Sequence, residues 1–105
     1  MIAKTPQPPY YAVIFTTAVN TDLTGYEETA NRLEFLAKQQ PGYLGIESAR
    51  STLGITVSYW ESLEAIVAWK NNVEHTEARE KGRALWYKKY ELRICKVERA
   101  YGFEN

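Results

Sequence analysis

The segment from Ile55 to Phe103 reads as a strand, two short helices and a long strand, and it carries all three tryptophans. Few arrangements accommodate that order in so short a chain. At 105 residues there is room for one domain, since domains cluster at roughly 100–150 residues. The elements before Ile55 therefore have to complete the same sheet and the same core.

In Tyr10 to Ala18, the set Tyr11, Val13, Phe15 and Thr17 alternates with Tyr10, Ala12, Ile14 and Thr16, and this β-branched and aromatic alternation predicts a strand covered on both faces. Thr24 and Glu27 fit a capping box ahead of Tyr26, Ala30, Leu33 and Ala37 at helical spacing, with Phe35 and Leu36 widening the stripe. Pro41 should stop this helix at Gln40, and Gly42 permits the turn that follows. Tyr43–Arg50 and Ile55–Trp60 then read as a hairpin through Ser51-Thr52-Leu53-Gly54, where Gly54 can take a positive φ. In its first strand Leu44, Ile46, Ser48 and Arg50 share a face opposite Tyr43, Gly45, Glu47 and Ala49. In its second, Ile55, Val57 and Tyr59 oppose Thr56, Ser58 and Trp60.

Ser62 is the expected N-cap of a helix burying Leu63, Ile66, Val67 and Trp69, and Asn71-Asn72 separates it from a second helix near Glu74–Leu85. The last strand runs from about Tyr87 to Tyr101. Its apolar set shifts from Tyr90, Leu92 and Ile94 to Cys95, Val97 and Tyr101, which implies a bulge or a change of covering surface. Residues 1–9 hold three of the four prolines and read as a flexible or surface-draped arm outside the core; residues 10–103 form the domain. The order βαββααβ is that of an α+β, ferredoxin-like antiparallel sheet.

Lysine plus arginine and aspartate plus glutamate both number 13, so no summed field draws the chain to nucleic acid or anionic lipid. With 13% aromatic residues the expected partner is a small aromatic or apolar ligand, or another subunit. Cys95 has no intrachain partner and reads as a small hydrophobe. One histidine and one cysteine cannot supply a tetrahedral zinc site, so no metal is expected, and no P-loop, dinucleotide fingerprint or supported serine nucleophile is present. Neither a signal segment nor a membrane-spanning run is visible, and a cytoplasmic location is the expectation.

The run Val57-Ser58-Tyr59-Trp60-Glu61-Ser62-Leu63-Glu64-Ala65-Ile66-Val67-Ala68-Trp69-Lys70-Asn71, with Glu74-His75 and Arg83-Ala84-Leu85-Trp86-Tyr87 after it, resembles the antibiotic biosynthesis monooxygenase family. Pro41-Gly42-Tyr43 and Val97-Glu98-Arg99-Ala100-Tyr101-Gly102-Phe103 fit as well. The resemblance implies a homodimeric α/β barrel in which two sheets face each other and the last strand reaches across. It also implies, without a bound cofactor, oxygenation of a phenol, quinol or anthrone. The same fold includes haem-degrading enzymes and members without known activity. The haem branch uses an asparagine on the first strand, a tryptophan after the third strand, and a histidine ten residues beyond. Trp69 matches, but the other two places hold Thr16 or Thr17 and Arg79.

Within that frame His75 is the proton acceptor to test, because its unperturbed pKa lies near neutrality. Arg79, one turn on, and Asn71 are candidates for stabilising charge. Trp69 would stack on a flat ligand, with Trp60, Trp86, Tyr87 and Arg50 bordering it. Each has a plainer reading: core packing for the tryptophans, helix termination for Asn71 and Asn72, and a solvated face for Glu74, Glu77, Arg79, Glu80, Lys81 and Arg83. A non-catalytic ligand-binding dimer is the alternative from another class, and haem handling a third.

Overall fold

The computed structural model describes residues 1–105, apart from the side chain of Val73. Seven elements follow in the order β1 (Tyr10–Val19), α1 (Tyr26–Ala37), β2 (Tyr43–Arg50), β3 (Gly54–Trp60), α2 (Leu63–Lys70), α3 (Val73–Leu85) and β4 (Tyr87–Val97). The strands form one antiparallel sheet in the order β2-β3-β1-β4. The helices cover one face of it, with α2 against β3, α3 against β4 and α1 against α3. This is the α+β, ferredoxin-like βαββααβ arrangement that the element order predicts.

Register decides which side chains meet the helices. Val13 pairs with Ser58 and Ile94, Phe15 with Thr56 and Leu92, and Thr17 with Gly54 and Tyr90. Successive strand residues point to opposite faces, so these rows share one side while Ala12, Ile14, Thr16, Val57 and Cys95 share the other. In β2 the register shifts between Tyr43 and Gly45. That bulge at Leu44 corrects the strict alternation expected there: Tyr43 lies opposite Trp60, against which its ring packs edge-on at 5.7 Å.

Local chemistry explains most element ends. Ser62 accepts from Ala65 N–H at 3.1 Å and Asn72 from His75 N–H at 3.1 Å, capping α2 and α3. Gly42 takes φ +85° at the turn after α1, and a Cβ there would stand 2.6 Å from Ala65 Cβ, so both the angle and the space select glycine. At α1 the capping-box expectation fails. Asp22 takes both the N–H and the hydroxyl of Thr24, at 3.0 and 2.7 Å, leaving Gly25 as N-cap with φ 80°. Helix α1 also ends earlier than expected, at Ala37, with a short turn carrying the chain to Pro41. Gly54 does not have the positive φ expected of it. It opens β3, buried, where a Cβ would overlap the Arg50 guanidinium.

The buried core comprises Ala37, Trp60 and Ile66, with Tyr11, Val13, Tyr43, Ala65 and Trp69 packed around it. Leu63, Val67 and Phe35, expected inside, are 47%, 55% and 54% exposed, because the helices touch the sheet along narrow stripes. The register of β4 runs unbroken from Lys89 to Val97, and the irregularity lies at its start, opposite Ala18 and Val19. The shift in its apolar set is therefore a change of face, with Leu92 and Ile94 toward the helices and Cys95 away from them. Beyond Val97 the chain leaves the sheet, and Tyr101 and Phe103 are 91% and 87% exposed. The proline-containing arm lies on the helix-free face. Ala3 N–H donates to Glu47 Oε2 at 2.9 Å, Thr5 Oγ1 and the Tyr10 hydroxyl are 2.8 Å apart, and Tyr59 donates to Glu47 Oε1 at 2.6 Å. Burial and the Glu47 carboxylate push the Tyr59 phenol up to about 12.

Candidate functional site

Between the helices and the sheet lies a cleft of about 690 Å³, within the size range of small-molecule sites. Its floor is the inward row of the sheet, including Val13, Phe15, Thr17, Ser58 and Leu92, and its roof is carried by α1, α2 and α3. The cleft exists because a flat sheet and three short helices in contact along narrow stripes leave the middle unfilled.

At one end the chain builds an aromatic stack. Trp60 is fully buried and anchored by its Nε1–H, which donates to Ser58 Oγ at 2.9 Å. Trp69, on α2, lies nearly parallel to it with centroids 6.2 Å apart. His75, near the start of α3, stacks on Trp69 at 4.4 Å and 14°. Trp69 holds this imidazole twice, since its backbone carbonyl also pairs with His75 Nδ1 at 2.9 Å. A carbonyl only accepts, so Nδ1 carries the proton and Nε2 keeps its lone pair. Burial, outweighing the hydrogen bond to Trp69, and then the Arg79 charge hold the His75 pKa below its ordinary 6.5. His75 is therefore neutral at neutral pH, with one open acceptor.

Arg79 follows one turn later and lines the same cleft. Glu74, on the same helix, is taken by Arg32, whose Nε and Nη2 each reach it at 3.2 Å. Arg79 Nε is buried with no acceptor in the protein, and a buried donor left unpaired costs roughly 1–3 kcal/mol. The guanidinium as a whole lines the cleft, where its charge favours an anion.

The opposite end is built of tyrosines. Tyr87 lies edge-on to Phe15 at 5.5 Å and to Tyr26 at 6.1 Å, and Tyr26 lies edge-on to Trp86 at 5.4 Å. Burial, with Tyr26 beside it, pushes the Tyr87 phenol well above its usual range, so it stays protonated. Arg50 donates through Nη2 to Thr17 Oγ1 at 2.6 Å and to the Tyr26 hydroxyl at 3.4 Å. Trp86 Nε1–H donates to the Thr24 carbonyl at 3.0 Å, which ties the start of α1 to the end of α3.

Seven of the eight residues singled out from sequence thus line one cleft: His75, Arg79, Trp69, Trp60, Trp86, Tyr87 and Arg50. Asn71 does not. It is the exposed C-cap of α2, its N–H donating to the Val67 carbonyl at 3.0 Å, and Asn72 caps α3. Both asparagines cap helix termini, and Asn71 is not in the cleft lining. Trp69 is also placed differently from expectation, since one ring face is covered by His75; it positions the imidazole before it can stack on anything else. Sequence reasoning missed Tyr26, Thr17, Tyr90 and Arg83, which all line the cleft. The signal for Arg83 was its place in the four-residue series His75, Arg79 and Arg83. Reading the charges of α3 as one solvated face hid it. Among the described residues no cluster of His, Cys, Asp and Glu could hold a metal ion, and no helix is long and apolar enough to cross a membrane.

The fold is of the ferredoxin-like α+β class and is shared by solved structures of low sequence identity. SnoaB, a cofactor-independent oxygenase from Streptomyces nogalater, is similar with a TM-score of 0.75 at 13% identity, covering 89% of this chain and 97% of that one. A conserved protein from Methanosarcina mazei Go1 is similar with a TM-score of 0.77 at 9% identity, covering 86% and 94%. The family described as antibiotic biosynthesis monooxygenase matches residues 9–81, and the chain belongs to it. It is also 51% identical over 106 residues to YqjZ, an uncharacterized protein of Bacillus subtilis (strain 168), covering 99% of this chain and 93% of that protein.

The depressed His75 pKa gives a stability prediction. The unfolded chain takes up this proton near 6.5, before the folded chain does, so His75 makes stability fall as pH drops through 6.5 and level off below the folded pKa. The depressed carboxylates Asp22, Glu47 and Glu74 act only at more acid pH, their stabilisation being lost as pH falls through their lowered folded values. Urea unfolding between pH 5 and pH 7.5 is expected to show this loss in the parent chain and a flatter profile in His75→Phe. Identical profiles would contradict the assignment.

Proposed function

We propose that the cleft carries out cofactor-independent oxygenation of a flat, electron-rich aromatic such as a phenol, quinol or anthrone. One observation carries this reading: Trp69 clamps His75 with its ring and its carbonyl so that an uncharged Nε2 lone pair is left in an aromatic cleft. A general base works best when it is unprotonated at working pH and already oriented. That SnoaB is a cofactor-independent oxygenase is in keeping with the same chemistry.

In this reading His75 Nε2 removes a proton from the substrate, and the Arg79 guanidinium, which lines the same cleft, stabilises the resulting anion. The anion passes one electron to dioxygen, leaving a resonance-stabilised radical, shared between oxygen and ring carbons, and superoxide. Their recombination forms a carbon–oxygen bond, and the peroxide takes back the proton from His75. At an anthrone-type CH₂ carbon, loss of water then leaves the new carbonyl, so one oxygen atom enters the product and the other leaves as water. The protein contributes orientation, proton transfer, anion stabilisation and exclusion of bulk water. Haem is a poor fit, because Arg79, at the place of the family's iron ligand, has no lone pair to give.

We also infer that two copies pair through the helix-free face. Ile14, Thr16 and Val57 are only half covered there, Cys95 is exposed, and Tyr101 and Phe103 extend past the sheet with nothing of their own chain over them. Sedimentation should then report about twice the 12.1 kDa chain mass. A monomer at micromolar concentration would refute the pairing.

Oxygen uptake with a panel of anthrones and hydroquinones tests the reaction. At least one member should exceed the protein-free rate, and His75→Gln should lower that excess on the order of a hundredfold with little change in melting temperature. No excess with any member would rule against the reaction, and ligand-dependent thermal stabilisation without turnover would instead identify a binding module.

A further inference from the structure

The cleft has a charge asymmetry along its length that proton removal at His75 does not use. His75, Arg79 and Arg83 follow one another at four-residue intervals on α3 and all line the cleft, so they form a row about 6 Å apart with Arg83 about 12 Å from the base. Arg83 Nε–H donates to the Tyr90 hydroxyl at 2.7 Å. Tyr90 packs on Tyr87, and Tyr87 on Tyr26, whose hydroxyl receives Arg50 from β2. Arg83 and Arg50 thus flank one tyrosine cluster at the end far from His75.

These guanidinium charges have no counter-ion inside the cleft. Among the described residues, Glu34 is the one carboxylate in the lining, and it is 3.6 Å from Lys38. Arg50 and Arg83 each have a donor on a neutral hydroxyl, which orients the fork without cancelling its charge. Lys70 adds another positive charge to the lining. In a chain whose acidic and basic residues balance at 13 each, this is local segregation of sign. A concave apolar site focuses such a field on an entering ligand. Arginine forks match a carboxylate with paired N–H donors.

Resting on the reading of this cleft as the substrate site, we propose that its ligand is an elongated aromatic with two polar ends: a hydroxyl at His75, and a carboxylate received by Arg83 and Arg50 at the tyrosine end. A fused-ring skeleton substituted at opposite ends meets both, whereas one with adjacent substituents meets only one. Both arginines reach solvent at the mouth of the cleft, so the carboxylate end enters last and the attraction weakens with salt.

Dissociation constants measured anaerobically, at low salt and with the full chain, test this with three probes. They are 6-hydroxy-2-naphthoate, with its groups at opposite ends; 3-hydroxy-2-naphthoate, with them adjacent; and 2-naphthol, with no carboxylate. The first should bind about tenfold more tightly than either of the others, the gain of one charge-assisted contact. Arg83→Met and Arg50→Met should each shrink that preference toward parity, read as the ratio of 6-hydroxy-2-naphthoate to 2-naphthol affinity within the same variant, while Arg83→Lys retains part of it. Melting temperatures separate loss of the contact from loss of the fold. Equal affinity for all three probes, a preference that survives both methionine variants, or no binding by any probe would overturn the proposal. Because no oxygen is consumed, an absence of turnover in the oxygen-uptake assay leaves this comparison intact, and the two failures are distinguishable.

Discussion

The site depends on the burial of Trp60. Its ring meets Tyr43 edge-on, lies parallel to Trp69 and ties its own Nε1–H to Ser58, so the last residue of β3 fixes the beginning of β2 and the inner face of α2 together. Truncating a tryptophan buried to this degree costs about 3–5 kcal/mol in comparable cores. Trp69 stands on that support and presents both a ring and a carbonyl to His75. An imidazole held by stacking and by one directed hydrogen bond needs no partner carboxylate to set its tautomer, and among the described residues none hydrogen-bonds to this one. That is consistent with its depressed pKa, since a neighbouring carboxylate would raise it.

The sheet presents two contrasting surfaces. Toward the helices it carries Val13, Phe15, Leu92 and Ile94 beneath a cleft whose polar groups include arginine forks, tyrosine hydroxyls and one imidazole. Away from them it carries Ile14, Val57 and Cys95, partly covered by the arm through Ala3 and Glu47. The arm buries Tyr10, which is 5% exposed, and Ala3 fits against Gly45, where a Cβ would come within 2.9 Å. A chain this small cannot cover both faces by itself, which is why apolar strand residues appear on each.

The element order and the register-dependent faces of β1 and β3 were legible from alternation, because each strand has period two and its turns are marked by glycine, proline and asparagine. The caps at Ser62 and Asn72 were legible for the same local reason. What was not legible depended on competition or on tertiary placement. The Thr24 hydroxyl is taken up by the Asp22 carboxylate, and Gly25 becomes an N-cap without a side-chain hydrogen bond. The bulge at Leu44 follows from placing Tyr43 on Trp60. In the site, residue type and helical spacing pointed correctly to the cleft for His75 and Arg79. They could not show that Glu74 would pair with Arg32 across α1 and leave the guanidinium of Arg79 short of an acceptor. Leu63 and Val67 show the converse limit, since their periodicity marks an apolar stripe without saying how wide the covering surface will be.

The central claim is that Trp69 fixes His75 as a neutral base with Nδ1 protonated and Nε2 open. Nitrogen-15 NMR of the imidazole, followed against pH, measures this directly. The account predicts a proton on Nδ1, a free Nε2 at neutral pH, and a midpoint below 6.5. A proton resident on Nε2, or a midpoint above that value, would contradict it.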